Sequence, residues 1–189
     1  MSHDPLWVFG YGSLIWNPGF PVAERRVARL DGWHRSFCMS SIHHRGTPEA
    51  PGLVLALDVA PDSYCDGIAF RAETGSEEAT IAYLRERELI SSAYVETRQR
   101  LQFHDGPAQG DVLTYVIDRD HEQYLGGMPL EDQAQIIAQA VGGRGPNDEY
   151  LLQTASHLAS LGLADPDLDW LVERVLQLKA SVGSAAERG

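Results

Sequence analysis

Two glutamates in the run Tyr83-Leu84-Arg85-Glu86-Arg87-Glu88 are the side chains best suited to moving a proton. A carboxylate held within reach of a reacting amine serves as general base and then as general acid. If the segment is helical, a turn of about 100° per residue places Ile81, Leu84 and Glu88 on one side and points Glu86 the opposite way. Glu88 then falls on the apolar, inward stripe, where a charge is costly unless it is paired or its altered proton affinity is used. Glu86 belongs with its arginine neighbours as solvated charge. For Glu88 two readings stand at this point: an acid/base group, or a carboxylate at a fraying helix end that salt-bridges an arginine.

The second chemical feature is the loop Gly10-Tyr11-Gly12-Ser13-Leu14, which follows the apolar run Leu6-Trp7-Val8-Phe9. Its two glycines open backbone conformations closed to other residues, so several N–H groups can turn towards one anion. No Lys with a following Ser or Thr comes after the second glycine, and the third glycine of a dinucleotide fingerprint is missing. A tight strand-to-loop turn without chemistry satisfies the same residues.

Other chemistries find less support. The adjacent His43 and His44 point to opposite faces if they lie on a strand, and no metal-ligand spacing occurs elsewhere, so no metal is expected. Ser13 in G-Y-G-S-L departs from the G-x-S-x-G nucleophile elbow. Cys38 and Cys65 are read as reduced core residues. A cysteine nucleophile paired with His43 or His44 stays open but draws little support from the sequence alone.

The elements that must position these groups fall into two regions. Strands are expected at Leu6–Phe9, Trp33–Ser41, Leu53–Val59, Gly67–Arg71, Tyr94–Phe103 and Val112–Ile117, with Gly/Pro punctuation at 46–48, 51–52, 105–107 and 110–111. One helix interrupts them, with Ser76 as N-cap and an end near Ile90. Three helices follow: Leu130–Val141; one capped by Asn147 and ending at Gly162; and one with Pro166 at its first position. The expectation is an α+β fold, one domain over residues 1–180 holding a small mixed β-barrel or sheet with helices packed on it, and a flexible tail over 181–189.

Composition bounds the function. The chain has 189 residues, 43% of them hydrophobic, enough for one core without staples. Formal net charge is −12 and Lys179 is the only lysine, so neither a nucleic-acid groove nor an anionic-membrane surface is expected. No apolar run approaches the length of a membrane span, and the N-terminus lacks the pattern of a signal peptide, so a cytoplasmic protein is expected.

In order, the motifs resemble the ChaC family of γ-glutamylcyclotransferases. Phe9-Gly10-Tyr11-Gly12-Ser13-Leu14-Ile15-Trp16 is similar to that family's N-terminal signature. His44-Arg45-Gly46-Thr47-Pro48 with Pro51-Gly52 is similar to its second block, and Gly67-Ile68-Ala69-Phe70-Arg71 to a strand written G-V-A-Y-R in other members. Arg87-Glu88 with Tyr94 resembles the catalytic block, and Tyr124-Leu125-Gly126 and Asn147-Asp148-Glu149-Tyr150-Leu151 the C-terminal blocks. The resemblance runs from about Trp7 to Leu178. This chain departs from it at Ser92-Ala93, where many members carry Gly-Gly.

The resemblance implies a cofactor-free lyase acting on glutathione. The substrate α-amine attacks its own γ-carbonyl, closes 5-oxoproline and expels Cys-Gly. In that scheme Glu88 is the acid/base residue, and the Gly10, Tyr11, Gly12, Ser13, Leu14 loop holds the substrate carboxylate and the developing oxyanion. Tyr94 and Tyr150 line the pocket. Arg45 meets the glycine carboxylate, or anchors its own loop to a neighbouring acid. Two alternatives remain open: a cyclotransferase for other γ-glutamyl peptides or amines, and a non-catalytic γ-glutamyl-binding protein.

Overall fold

The apolar run near the N-terminus forms β1 (Trp7–Gly10), buried along its whole length. It lies antiparallel to β3 (Gly52–Ala72), with Val8 opposite Phe70 and Gly10 opposite Ile68. On its other side it runs parallel to β5 (Ala108–Ile117), at Val8 and Leu113. With β2 (Val22–Ser41) and β4 (Tyr94–Phe103) these strands close a mixed barrel in the order β1-β3-β2-β4-β5, with a further β3–β5 pairing. The described residues add four α-helices to this barrel, so the expected α+β class with a small mixed barrel is the one observed. The computed structural model describes residues 4–186.

Two units make up the chain. The first comprises residues up to Ser36 together with Ala56–Tyr124. Its core is built from Trp7, Val8, Phe9, Leu30, Leu57, Phe70, Leu101, Phe103 and Leu113, with Trp7 and Phe103 rings 5.1 Å apart and Phe20 edge-on to Phe70 at 6.1 Å. β5 is buried continuously from Val112 to Ile117, which is why that run reads as apolar but for Thr114 rather than alternating. The Thr114 hydroxyl donates to the Phe9 carbonyl (3.1 Å). α1 (Glu77–Glu88) also belongs to this unit and buries Thr80 and Leu84.

The second unit comprises Phe37–Leu55 and the residues from Leu125 onward. It contains α2 (Leu130–Gln139), the two-residue strands β6 (Val141–Gly142) and β7 (Gly145–Pro146), α3 (Asn147–Ser160) and α4 (Pro166–Ala186). Leu151 and Leu158 of α3 are buried, as are Leu168, Leu171 and Val175 of α4, at the helical spacing expected of them. Among the described residues no helix is long and apolar enough to cross a membrane.

Several boundaries differ from the sequence expectation. Leu53–Val59 and Gly67–Arg71 are one strand, because β3 continues through Val59–Tyr64 with Pro61 and Asp62 exposed. A hydrophobic pattern cannot register a stretch that buries little, and an exposed proline is tolerated there. β2 begins at Val22, not Trp33. Its early half is rich in arginine, but Arg26 covers the Phe103 ring at 3.8 Å and Arg29 the Tyr64 ring at 3.6 Å, so charged residues supply apolar cover. Gly110-Asp111 is not a turn. Val112 pairs with Gln99 and Gln109 with Leu101, which leaves two residues of β5 facing one of β4: a β-bulge with Asp111 at φ 56°.

The helix ends shift as well. α1 stops at Glu88, and the Ser76 hydroxyl donates to the Glu73 carbonyl (2.8 Å) instead of capping the helix. α2 stops at Gln139 because Val141 and Gly142 pair with Pro146 and Gly145. Asn147 is the first residue of α3, not its cap. Its side-chain oxygen accepts from Leu53 N (2.7 Å) and its amide donates to Leu53 O (2.8 Å), so it serves the strand end as a backbone partner would. α4 continues through Ala186, into the segment expected to fray; residues 187–189 lie outside the described residues.

Candidate active site

The last turn of α1 presents Glu88 as helical phase requires. Its side chain is 17% exposed, whereas Glu86 lies in solvent. The Arg87 Nε is 3.3 Å from Glu88 Oε1. Glu88 thus stands beside a cation at the edge of the interior, the ion pair that one of the two readings expected.

Arg87 itself is not part of a solvated charge pattern. Only 12% exposed, it donates through Nη2 to Ser13 Oγ (2.9 Å) and through Nη1 to the Asn17 carbonyl (2.6 Å) and the Tyr83 hydroxyl (3.2 Å). The end of α1 is thereby fastened to the loop that follows β1.

That loop tightens into a 3₁₀ turn over Ser13–Ile15, closed by Ile15 N donating to Gly12 O (2.9 Å) and Asn17 N to Ser13 O (2.9 Å). The first N–H groups of such a turn have no acceptor within it, so Ser13 and Leu14 offer donors at its start. Two contacts hold Tyr11. Its hydroxyl donates to the Tyr115 carbonyl (2.9 Å), and its own carbonyl accepts from Nε of the buried Arg35 (2.6 Å). Arg35 Nη2 also donates to the Asp66 carbonyl. β3 passes close by: a Cβ on Gly67 would stand 2.4 Å from the Gly10 carbonyl, so a side chain there would displace the start of the loop.

Tyr115 on β5 lies near enough to Glu88 to feel its charge. Burial first, then the charge of Glu96 with its hydrogen bond, and then the charge of Glu88 push the Tyr115 phenol well above its ordinary range. It stays protonated and donates to Glu96 Oε2 (3.0 Å). Glu96 also accepts two 2.8 Å bonds from Arg85, and this arginine is the main cause of its lowered pKa. Tyr94 opens β4 opposite Ile117 and is half-buried. Just before it, Ser92 adopts φ 59°, the left-handed conformation that glycine favours.

Gly10–Leu14, Glu88 and Tyr94 therefore all belong to the first unit, whereas Arg45 and Tyr150 belong to the second. There Arg45 donates to the Pro146 carbonyl (3.1 Å), stands 3.8 Å from Glu149 and lies 5.6 Å from the centre of the Tyr150 ring. The Tyr150 hydroxyl accepts from Leu55 N (3.3 Å), and its ring meets Phe37 edge-on at 5.9 Å. His43 and His44 lie beyond the end of β2, not on a strand, and their carbonyls accept from Gly143 N (2.8 Å) and Arg144 N (2.9 Å). Close approach explains the glycines of this block, since a Cβ on Gly46 would stand 2.0 Å from Gly52 N.

Sequence reasoning missed Arg35, Arg87, Glu96 and Tyr115. Arg87 had two signals, its place beside Glu88 in the block that resembles the family's catalytic one and its partly inward phase on the helix. The other three sit in strands and gave none.

The geometry can be set beside known proteins. Residues 6–178 match the family model described as ChaC-like protein. The chain belongs to this family. A glutathione-specific γ-glutamylcyclotransferase of Escherichia coli is 35% identical over 179 residues, covering 95% of this chain and 76% of that protein. A protein named γ-glutamylcyclotransferase 2-3 in Arabidopsis thaliana is 37% identical over 177 residues, covering 90% of this chain and 88% of its own. Among solved structures, a yeast γ-glutamyl cyclotransferase specific to glutathione superposes with a TM-score of 0.84 over 93% of this chain and 97% of that one, at 23% identity, a likeness of fold.

Proposed function

We propose that this ChaC-like protein is a γ-glutamylcyclotransferase that converts glutathione to 5-oxoproline and Cys-Gly. The observation that carries the reading is the setting of Glu88: an inward carboxylate at a helix end, tied through Arg87 to a loop with donor N–H groups. The name and coverage of the Escherichia coli relative support glutathione as the substrate, and the name of the Arabidopsis thaliana relative supports γ-glutamyl cyclotransfer.

Glu88 takes a proton from the substrate α-ammonium. The freed amine attacks the γ-carbonyl carbon, forming the C–N bond of the lactam. The C–N bond to cysteine then breaks as the proton on Glu88 passes to the departing nitrogen. The second proton that the attacking nitrogen must shed to become the lactam N–H follows by the same carboxylate, so Cys-Gly leaves as an ammonium. No water or electrons are consumed. Folding the γ-glutamyl arm so that amine and carbonyl meet is the protein's largest task, because an intramolecular attack gains most from alignment. The N–H groups at the start of the 3₁₀ turn face the developing oxyanion or the substrate carboxylate. Tyr94 serves as a pocket wall. The bonding of Arg45 and Tyr150 within their own unit favours a structural role for both.

Incubation with glutathione should yield 5-oxoproline and Cys-Gly in equal amounts, and γ-glutamyl-alanine should be the poorer substrate by kcat/KM. Comparable values for the two would make the protein a general γ-glutamyl cyclotransferase. Absence of 5-oxoproline from both would refute the reading.

A further inference from the structure

We infer that Arg87 is a positioning residue that sets the acid/base carboxylate and the donor loop in register; this rests on the reading of Glu88 above. A cation in the last turn of a helix ordinarily serves that helix's own carbonyls. The Arg87 guanidinium turns away from them. Nη1 reaches the Asn17 carbonyl at 2.6 Å and, more weakly, the Pro18 carbonyl at 3.4 Å, while Nη2 reaches Ser13 Oγ at 2.9 Å. Nε stands 3.3 Å from Glu88 Oε1. One planar fork thus touches the carboxylate, the side chain that opens the 3₁₀ turn and the carbonyls where the chain leaves it.

These contacts also exclude the other roles open to an arginine. The fork is engaged by protein groups on three sides, so it is poorly placed to bind a substrate carboxylate. A guanidinium does not release its proton in a protein, so it cannot replace Glu88. What it can do is fix distance. Residues 13 and 88 lie far apart in sequence, and an error of about 1 Å in the placement of reacting groups costs about 100-fold in rate. Accepting a charge-assisted bond from Arg87 also directs the hydroxyl hydrogen of Ser13 away from the guanidinium. Lysine cannot substitute. Its three donors radiate from a single nitrogen and cannot span Ser13, Asn17 and Glu88 together.

The test uses the full chain as wild type, Arg87→Lys, Ser13→Ala and the double variant. It reads kcat and KM for 5-oxoproline formation from glutathione, together with amide hydrogen exchange over residues 12–18. Arg87→Lys should lower kcat about 10- to 100-fold, more than it changes KM, and should speed exchange in that segment. Ser13→Ala should cost less alone and nothing further on the Arg87→Lys background, since the contact is already gone. A kcat within threefold of wild type overturns the inference. So does a lowered kcat with unchanged exchange, or a Ser13→Ala effect that persists in full in the double variant. If Arg87→Lys does not fold, Ser13→Ala alone decides, by whether it speeds exchange over 12–18 and lowers kcat. If wild type forms no 5-oxoproline, the proposed function fails, and the exchange comparison still decides whether Arg87 fastens the loop.

Discussion

The buried Arg35 donates through Nε to the carbonyl oxygen of Tyr11 at 2.6 Å, so a charged side chain of β2 holds the backbone of the loop that follows β1. A second arm of the same guanidinium takes the Asp66 carbonyl. Arg35→Met keeps most of the volume but leaves both carbonyls without this donor. It should destabilise the protein by about 1–3 kcal/mol, the cost of stranding buried acceptors. An unchanged urea midpoint would mean that water or another donor replaces it without loss.

Glu88 and Glu86 share one short run but not one environment. Glu88→Gln keeps size and hydrogen bonding but cannot accept the ammonium proton, so kcat should fall at least about 100-fold with the fold intact. Glu86→Gln, in solvent, should leave activity near wild type and shift stability by no more than about 0.5 kcal/mol. Equal losses in the two variants would sink the assignment of Glu88 as the base.

Gly12 precedes the 3₁₀ turn, and its carbonyl closes that turn by accepting from Ile15 N. Gly12→Val should raise KM for glutathione by more than its thermal destabilisation explains, because a branched side chain there blocks approach to the donor N–H groups. A folded variant with unaltered kinetics would reduce the loop to a turn.

Ser92 holds the left-handed backbone that glycine favours, at φ 59°. Ser92→Gly relieves steric cost but frees the unfolded chain, and the two should nearly cancel, within about 0.5 kcal/mol. Ser92→Val should cost about 1–2 kcal/mol, since a β-branched residue resists that conformation. Chemical denaturation of the pair separates backbone demand from side-chain contact.

Glu131 of α2 accepts 2.8 Å bonds from Nε and Nη2 of Arg174 of α4. Arg174 first, and the Gln135 hydrogen bond second, hold its carboxyl down at about 2, below the ordinary 4.5. A folded-state value below the unfolded one means the unfolded chain takes up its proton first as pH falls. The contribution is thus complete above pH about 4.5 and is lost on acidification towards pH about 2. Arg174→Gln should lower Tm at pH 7, with a difference from wild type that narrows between about pH 5 and pH 3. A constant difference across that range would assign the effect to packing.

By itself the sequence determined the features that local periodicity controls. The phase of α1 put Glu88 inward and Glu86 outward, the apolar runs marked β1 and the buried part of β5, and the stripes of α3 and α4 appeared at helical spacing. Its ordered motifs pointed to the family that residues 6–178 match. Tertiary structure alone decided which polar groups serve each other. Arg87 meeting Ser13, Arg35 meeting Tyr11, and Asn147 meeting Leu53 are contacts between residues far apart in the chain. The same holds for the early half of β2, where arginine stems over Phe103 and Tyr64 do the covering that a hydrophobic pattern would have announced. Periodicity reports which face of an element is buried. It carries no information about which distant backbone carbonyl or hydroxyl will stand opposite a given guanidinium, because that is fixed only when the strands close into a barrel.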